Sequence, residues 1–196
     1  MSPQYEFKVV LLGSVAVGKT AIANRLQYQL FESDYQPTIG AGFIPYRTVY
    51  NDKEIELQIW DTAGMERYKG LGAIYYRDAV AAVLVYDQSN PESADSLNDW
   101  LNSLRVNVKR PCLIFIVGNK TDLSTNAVDS EKMKEWCHES GFMFAQTSAK
   151  TGNGVEELFQ TIIDKLLASS AAIEMSNENN AKAPKIQNEN RSVNCC

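Results

Sequence analysis

Residues 13 to 20 read GSVAVGKT and match the spacing GxxxxGK[ST] of a phosphate-binding loop. Glycine lets backbone amides turn toward an anion, Lys19 supplies a mobile cation, and the Thr20 hydroxyl can bind Mg²⁺. The opposing interpretation is a chance glycine-rich turn. An apolar run precedes the motif and a helical pattern follows it, which is the context that phosphate binding requires. The sequence therefore predicts a phosphate site here.

Two later motifs can select the base. NKTD at 119–122 follows the apolar run CLIFIVG, and TSAK at 147–150 follows the run FMFAQ. The Asp122 carboxylate can accept hydrogen bonds from N1 and the exocyclic amine of guanine, whereas adenine would leave it unpaired. The backbone amides of TSAK can meet the guanine O6. Each tetrapeptide alone is typical of an ordinary loop, but the three motifs in order predict a guanine-nucleotide site; ATP binding is the more distant alternative.

These motifs need a sheet to bring them together. Short apolar runs alternate with helical patterns, which predicts an α/β fold: a mostly parallel six-stranded sheet with helices on both faces. The two runs near 43–61 are joined at NDKE and predict a hairpin with one antiparallel edge strand. Pro45 restricts its segment to an edge or a strand end. We expect a long helix through Trp100 and a last helix from Gly154 to about Leu167.

Composition bounds the class of protein. With 196 residues, 44% apolar and 22% charged, the chain fits one globular domain. Its net charge of -5 argues against general nucleic-acid binding. The longest apolar run is far shorter than the roughly 20 residues that span a bilayer. The N-terminus lacks a signal-peptide pattern and carries Ser2 where myristoylation needs glycine, so we expect the chain in the cytosol.

The cysteines and the single histidine show no metal or disulfide pattern. We expect Cys112 and Cys137 to be buried or half-buried and His138 to lie on the surface. Residues 169–196 contain no Leu, Phe, Trp or Tyr and six Asn. Such a segment cannot bury enough apolar surface to offset its ordering entropy. It is predicted to be a disordered tether that follows a domain of residues 1–168.

On these motifs the chain resembles the Ras-like small GTPases, and among them the Rab family, over residues 5 to about 168. The loop ending AVGKT and the segment TIGAGF look most like the early-endosomal subgroup. The resemblance implies a monomeric GTPase that binds GTP or GDP with Mg²⁺ and regulates vesicle traffic on the cytoplasmic face of an intracellular membrane. It also implies an exchange factor, a GTPase-activating protein, a GDP-dissociation inhibitor, prenylation machinery and effectors as partners.

The resemblance assigns roles by position. Thr38 in PTIG matches the switch I threonine, Asp61 the residue that holds Mg²⁺ through water, and Gly64 the switch II amide at the γ-phosphate. The implied metal site is Thr20, Thr38 and Asp61, and the implied catalytic positions are Lys19, Thr38, Gly64 and Met65. The implied nucleotide contacts are Gly13, Ser14, Val15, Ala16, Val17, Gly18, Lys19, Thr20, Ala21, Phe31, Thr38, Gly64, Asn119, Lys120, Asp122, Ser148, Ala149 and Lys150.

Two further features follow from the same resemblance. Phe43, Trp60 and Tyr75 match the aromatic triad that effectors contact, with simple core packing as the alternative. The ending NCC resembles the Rab site of double geranylgeranylation at Cys195 and Cys196, with an unmodified tail as the alternative. Because the tail has no net basic charge, both lipids would be needed for stable membrane binding.

Two residues depart from the family pattern. Met65 stands where a glutamine usually orients the attacking water, and methionine has no strong hydrogen-bonding group. It could equally add apolar surface for a partner. Val15 stands where many relatives have glycine or serine, and its branched side chain would crowd the γ-phosphate. Both departures predict slow GTP hydrolysis, with a GTP-loaded, effector-recruiting module of negligible turnover as the alternative.

Overall fold

A computed structural model describes residues 3–33, 37–64, 72–125 and 127–182 of the chain. These ranges contain six strands and six helices. In chain order they are β1 (Tyr5–Leu12), α1 (Lys19–Tyr28), β2 (Ala41–Tyr50), β3 (Lys53–Thr62), α2 (Gly72–Tyr76), β4 (Ala81–Asp87), α3 (Pro91–Asp95), α4 (Leu97–Asn107), β5 (Leu113–Asn119), α5 (Ser130–Ser140), β6 (Met143–Gln146) and α6 (Val155–Lys182).

The six strands form one sheet in the order β2-β3-β1-β4-β5-β6. β2 and β3 pair antiparallel, and the other four pairings are parallel. The predicted α/β fold with one antiparallel edge strand is confirmed. The parallel strands β1, β3, β4, β5 and β6 end at the same edge, so the loops that follow them meet there, which is where ligands of such sheets bind.

The β2–β3 hairpin explains two features of the sequence. Its turn is formed by Asn51 and Asp52, with φ of 48° and 61°. A two-residue turn with positive φ at both positions matches the twist of the strands it joins, and Asn and Asp tolerate that conformation. Pro45 belongs to β2, the outermost strand, and lies opposite Gln58 of β3. Its missing N–H is tolerated because one side of an edge strand has no partner.

Helices cover both faces of the sheet. Val10 and Leu12 of β1 belong to a cluster with Trp100 and Leu104 of α4 and Cys137 of α5. The alternate β1 residues point to the opposite face because side chains alternate along a strand, and they are fully buried as well. The buried side chains of α1 and α6 lie outside that cluster, as expected if these helices cover the second face.

The long helix predicted through Trp100 is two helices. α3 ends at Asp95 and α4 begins at Leu97, so Ser96 is the C-cap of one and the N-cap of the other. Asn90 starts α3 by accepting a hydrogen bond from the Glu92 amide, and Pro91 follows at the first helical position.

The last helix extends further than predicted. Its predicted end is near Leu167, but α6 continues to Lys182. The predicted disorder of the tether at residues 169–196 stays a prediction. The prediction of the helix end considered packing alone. Residues 169–182 contain no glycine or proline that would break a helix, although six of the fourteen are Ser or Asn, which are weaker helix formers than Ala.

The chain divides into two compact units, Met1–Leu166 and Leu167–Cys196. Residues 183–196, with Cys195 and Cys196, lie outside the described residues. Among the helices that the structure describes, none is both long and apolar enough to cross a membrane. Cys137 is buried, Cys112 is half-buried and His138 is exposed, as predicted.

Candidate functional site

The phosphate loop joins the end of β1 to the start of α1. Gly13 and Gly18 have φ of 136° and 102°, a region that residues with a side chain rarely adopt. A Cβ atom on Gly13 would lie 2.2 Å from the Val85 carbonyl oxygen, and one on Gly18 would lie 2.2 Å from Asn119 Nδ2. Both glycines are therefore required by space as well as by conformation.

Lys19 lies under this loop. Its Nζ donates to the carbonyl oxygens of Gly13 and Ser14, each at 2.8 Å, and the residue is only 6% exposed. Burial lowers the pKa of Lys19 to about 8, against the opposing attraction of Asp61. A phosphate group at the loop would stabilise the protonated lysine, which is the arrangement that phosphoryl binding needs.

Three predicted metal ligands converge in the structure. Thr20 Oγ1 donates to Asp61 Oδ2 at 2.6 Å and lies 2.8 Å from Thr38 Oγ1. Thr38 Oγ1 is 3.5 Å from the same carboxylate oxygen. Asp61 is 2% exposed, and its Oδ1 is buried without a hydrogen-bond partner in the part of the chain that the structure describes. Burial raises the pKa of Asp61, while Thr20, Lys19 and Thr38 oppose that change.

This set fits a magnesium ion. A buried carboxylate with an unpaired oxygen, beside two hydroxyl groups, offers the hard oxygen ligands that Mg²⁺ prefers. Within the described ranges, no three His, Cys, Asp or Glu residues are grouped so that they could hold a metal ion. Mg²⁺ usually completes its shell with water and phosphate oxygens, and a nucleotide would supply the latter. When bound, the ion would neutralise developing phosphate charge.

Gly64 closes one side of the phosphate site. A Cβ atom on Gly64 would lie 2.5 Å from both C and O of Ser14 and 2.6 Å from the Val15 nitrogen. The start of switch II, defined here as the segment from Gly64, is therefore in direct contact with the phosphate loop. Met65, at the position of the usual glutamine, lies outside the described residues, as do residues 66–71.

The base-specific residues meet on the other side of the site. Asn119 Nδ2 donates to the Val17 carbonyl at 2.9 Å, and its Oδ1 accepts from the Ala149 amide at 3.1 Å. Ser148 Oγ donates to Asp122 Oδ1 at 2.6 Å. Asn119 thus connects the phosphate loop to TSAK, and Ser148 fixes the orientation of the Asp122 carboxylate. The Ala149 amide, expected near guanine O6, donates to Asn119.

Two cations of the motifs form ion pairs. Lys120 Nζ lies 2.8 Å from Asp87 Oδ2 at the end of β4. Burial alone would raise the pKa of Asp87, but hydrogen bonds from Lys120 and Ser89 outweigh it and lower that pKa. Lys150 Nζ lies 3.9 Å from Asp122 Oδ2, and its side chain is 63% exposed. The Lys120–Asp87 pair orders the NKTD segment, whereas the Lys150–Asp122 pair is a weak surface contact.

Sequence reasoning missed Arg25 of α1, which contacts the TSAK segment. Arg25 Nε donates to the Ala149 carbonyl at 2.8 Å and its Nη2 to the Lys150 carbonyl at 2.7 Å. Asp87 was missed as well, because its partner Lys120 lies far along the chain. No local signal identifies either residue, because both act through contacts that only the fold creates.

A cavity of about 450 Å³ lies between the phosphate loop and switch I. Val15 and Phe31 line it and are 40% and 39% exposed. Other predicted contacts that line it are Ala16, Gly18, Lys19, Thr20, Ala21, Thr38 and Gly64. The cavity therefore brings part of the phosphate loop together with two of the three predicted metal ligands, Thr20 and Thr38, while Asp61 does not line it.

The three aromatic residues also meet. The Trp60 ring lies 5.4 Å from that of Phe43 and 5.7 Å from that of Tyr75, measured between centroids. Phe43 is 50% exposed, and Lys8 Nζ lies 4.8 Å from the Trp60 ring centroid. Trp60 and Tyr75 also pack on the core cluster. The residues thus combine core packing with an exposed aromatic face.

Comparison with known proteins gives the family. The Ras family matches residues 8–168. Relatives include Ras-related protein Rab-5B from Plasmodium falciparum, 41% identical over 160 residues that cover 81% of this chain and 77% of the relative. Ras-related protein Rab11C from Nicotiana tabacum is 42% identical over 163 residues, covering 83% and 73%. GTP-binding protein ypt3 from Schizosaccharomyces pombe is 38% identical over 177 residues, covering 89% and 83%.

These matches agree with the order of the three nucleotide motifs and with the sheet that carries them. Relatives named Rab-5B and Rab11C have nearly the same identity to this chain, so they support the family more than a subgroup. This chain belongs to the Ras family and is a Rab-type small GTPase.

Proposed function

We propose that this chain is a membrane-anchored guanine-nucleotide switch of vesicle and endosomal traffic that hydrolyses GTP slowly. The observation that carries the slow rate is the Val15 side chain, which lines the phosphate cavity and is 40% exposed. The endosomal role rests on the resemblance of AVGKT and TIGAGF to the early-endosomal subgroup.

The switch itself follows from which residues contact the phosphate end of the site. Thr38 meets Thr20 at the predicted metal site, and Gly64 rests against Ser14. A γ-phosphate with Mg²⁺ would hold both residues in place, and its loss would release them. Effectors would then distinguish GTP from GDP through the segments around Thr38 and Gly64.

Two departures from the family pattern, Met65 and Val15, make hydrolysis slow. Water must be oriented toward the γ-phosphate, and Met65 offers no strong hydrogen-bonding group for this task. Val15 fills space beside the γ-phosphate that an attacking water or an inserted arginine would use. Lys19 and the predicted metal ligands remain, so nucleotide binding and a basal rate are retained.

Single-turnover GTP hydrolysis tests this proposal on the unmodified protein, Met65→Gln, Val15→Gly and the double variant. We expect each single change to raise the rate and the double change to raise it most. Lowering the barrier by about 1.4 to 2.7 kcal/mol, through a positioned water or relieved crowding, corresponds to a rate increase of roughly ten- to a hundredfold. If the unmodified protein is as fast as Met65→Gln and Val15→Gly, the proposal of slow hydrolysis is wrong.

The second candidate function is a module that stays GTP-loaded and recruits effectors without useful turnover. Val15 beside the phosphate cavity also favours this candidate. The nucleotide that copurifies with the protein separates the two candidates. Mostly GDP supports a slow cycling GTPase, and mostly GTP supports the loaded module.

Membrane anchoring is proposed from Cys195 and Cys196. Two geranylgeranyl groups would bind a bilayer stably, whereas one lipid binds only marginally. Prenylation machinery, a GDP-dissociation inhibitor, an exchange factor and an activating protein are the partners that such a cycle needs. Mass spectrometry of the protein from its own cells tests the anchor. An unlipidated C-terminus would contradict it.

A further inference from the structure

A side-chain hydrogen bond joins the phosphate loop to the junction of α3 and α4. Ser14 Oγ lies 2.7 Å from Ser96 Oγ, and the two residues are 82 positions apart. Ser14 belongs to the phosphate loop, while Ser96 lies in neither the predicted nucleotide site nor any nucleotide motif. The contact therefore connects the phosphate loop to a residue that has no predicted role in nucleotide binding.

Ser96 Oγ has a second contact, on its own segment. It donates to the Ser93 carbonyl at 2.9 Å. Between Ser14 and Ser96 either hydroxyl can be the donor, because a serine hydroxyl both donates and accepts. As the N-cap of α4, Ser96 makes no side-chain capping hydrogen bond, so its hydroxyl is directed to the phosphate loop instead.

Ser96 is held by a fixed segment. Ser93 is 2% exposed, and its Oγ accepts from the Asp87 amide at 2.9 Å and donates to the Asn90 carbonyl at 2.6 Å. Asp87 in turn pairs with Lys120 of the base motif. The segment from Asp87 to Ser96 is thus tied to the end of β4, which is the neighbour of β1 in the sheet. Ser96 is a fixed anchor rather than a loose surface hydroxyl.

Ser14 is where three parts of the phosphate site meet. Its carbonyl oxygen accepts from Lys19 Nζ at 2.8 Å, and its backbone is the surface against which Gly64 packs. A Cβ atom on Gly64 would lie only 2.5 Å from the Ser14 carbonyl, so no side chain fits between the two backbones. The position of the Ser14 backbone therefore determines the surface that Gly64 contacts.

We propose that Ser96 is a positioning residue that, through Ser14, holds the phosphate loop in the shape that Gly64 contacts and so favours the GTP-bound state. The inference rests on the proposed guanine-nucleotide switch. Gly64 meets the γ-phosphate only in the triphosphate complex, so loosening Ser14 weakens GTP binding more than GDP binding. The α3–α4 junction thereby influences which nucleotide the protein prefers.

The test compares dissociation constants for GDP and a non-hydrolysable GTP analogue, both with Mg²⁺. Ser96→Ala removes the hydroxyl that Ser14 contacts, Ser96→Thr retains a hydroxyl, and Ser140→Ala is a matched control because Ser140 is exposed at the end of α5. We expect Ser96→Ala to reduce the preference for the GTP analogue over GDP by about three- to tenfold, the range of one hydrogen bond. Ser96→Thr should restore the preference, and Ser140→Ala should leave it unchanged.

A double variant tests whether the effect passes through Ser14. If it does, Ser96→Ala causes no further loss of preference in a Ser14→Ala background. Equal weakening of GDP and the GTP analogue by Ser96→Ala would mean a general structural role and would overturn the inference. An unchanged preference would overturn it too. Failure of the unmodified protein to bind guanine nucleotides would instead contradict the proposed function.

Discussion

Thr20 Oγ1 donates a 2.6 Å hydrogen bond to Asp61 Oδ2, which joins the first turn of α1 to the end of β3. The other carboxylate oxygen of Asp61 is buried and has no hydrogen-bond partner among the described residues. A buried carboxylate in that condition is costly unless a cation or donor completes it. The Asp61 carboxylate therefore favours binding of a cation at the point where the phosphate loop and the start of switch II meet.

Removing that carboxylate should make nucleotide binding less dependent on magnesium. For Asp61→Asn we expect GDP release in Mg²⁺ to be roughly ten- to a hundredfold faster, because a charge-assisted contact is lost. In excess EDTA the two proteins should release GDP at similar rates. Stopped-flow dissociation of a fluorescent GDP measures both rates. Asp52→Asn, a change in the exposed hairpin turn, is the control with the same loss of charge; equal magnesium dependence in Asp61→Asn and the unmodified protein would contradict the prediction.

Changing Asp122 should change base selectivity. The Asp122→Asn side chain carries a donor where the guanine amine needs an acceptor, and a xanthine base presents the matching carbonyl. We expect GDP affinity to fall by at least about a hundredfold and xanthosine diphosphate to bind better than GDP. Competition binding of the two nucleotides measures this. If Asp122→Asn keeps its preference for GDP, then Asp122 does not read the base.

Gly18 should tolerate no side chain, whereas Gly42 should. Gly18→Ala combines a φ of 102° with a contact of 2.2 Å to Asn119 Nδ2. We expect it to lower the free energy of unfolding in saturating GDP by about 2 kcal/mol or more. At Gly42 a Cβ atom would meet no atom within 4 Å, so Gly42→Ala should change stability by less than about 0.5 kcal/mol. Urea unfolding compares them; equal stability of the two variants would show that the Gly18 contact is not restrictive.

The cysteines should differ in reactivity. Burial raises the pKa of Cys112 to about 12 and that of Cys137 to about 11. Since only the thiolate reacts, both should be alkylated at pH 8 at least about a hundredfold more slowly than an unperturbed thiol. In protein made without prenylation, Cys195 and Cys196 are predicted to react at the ordinary rate, and all four should react alike in urea. Mass spectrometry of iodoacetamide-treated peptides distinguishes these sites, and rapid labelling of native Cys112 would contradict its burial.

Local sequence determined the phosphate loop and the sheet. GSVAVGKT specifies its backbone shape through glycines at fixed positions, and the adjacent strand and helix follow from apolar patterns within a few residues. NDKE predicted its hairpin because it stands between two adjacent apolar runs. Local reasoning placed the end of the last helix near Leu167, where the apolar pattern stops, whereas α6 continues to Lys182.

The tertiary structure decided the contacts that complete the site. Arg25 reaches the Ala149 carbonyl across 124 residues, and Ser14 reaches Ser96 across 82. A single sequence contains no periodicity or spacing that joins such pairs, since they meet only after the strands have been ordered in the sheet. The sequence by itself predicted which residues bind a guanine nucleotide; the fold decided which side chains hold those residues in position, because hydrogen bonds depend on distances that chain order does not contain.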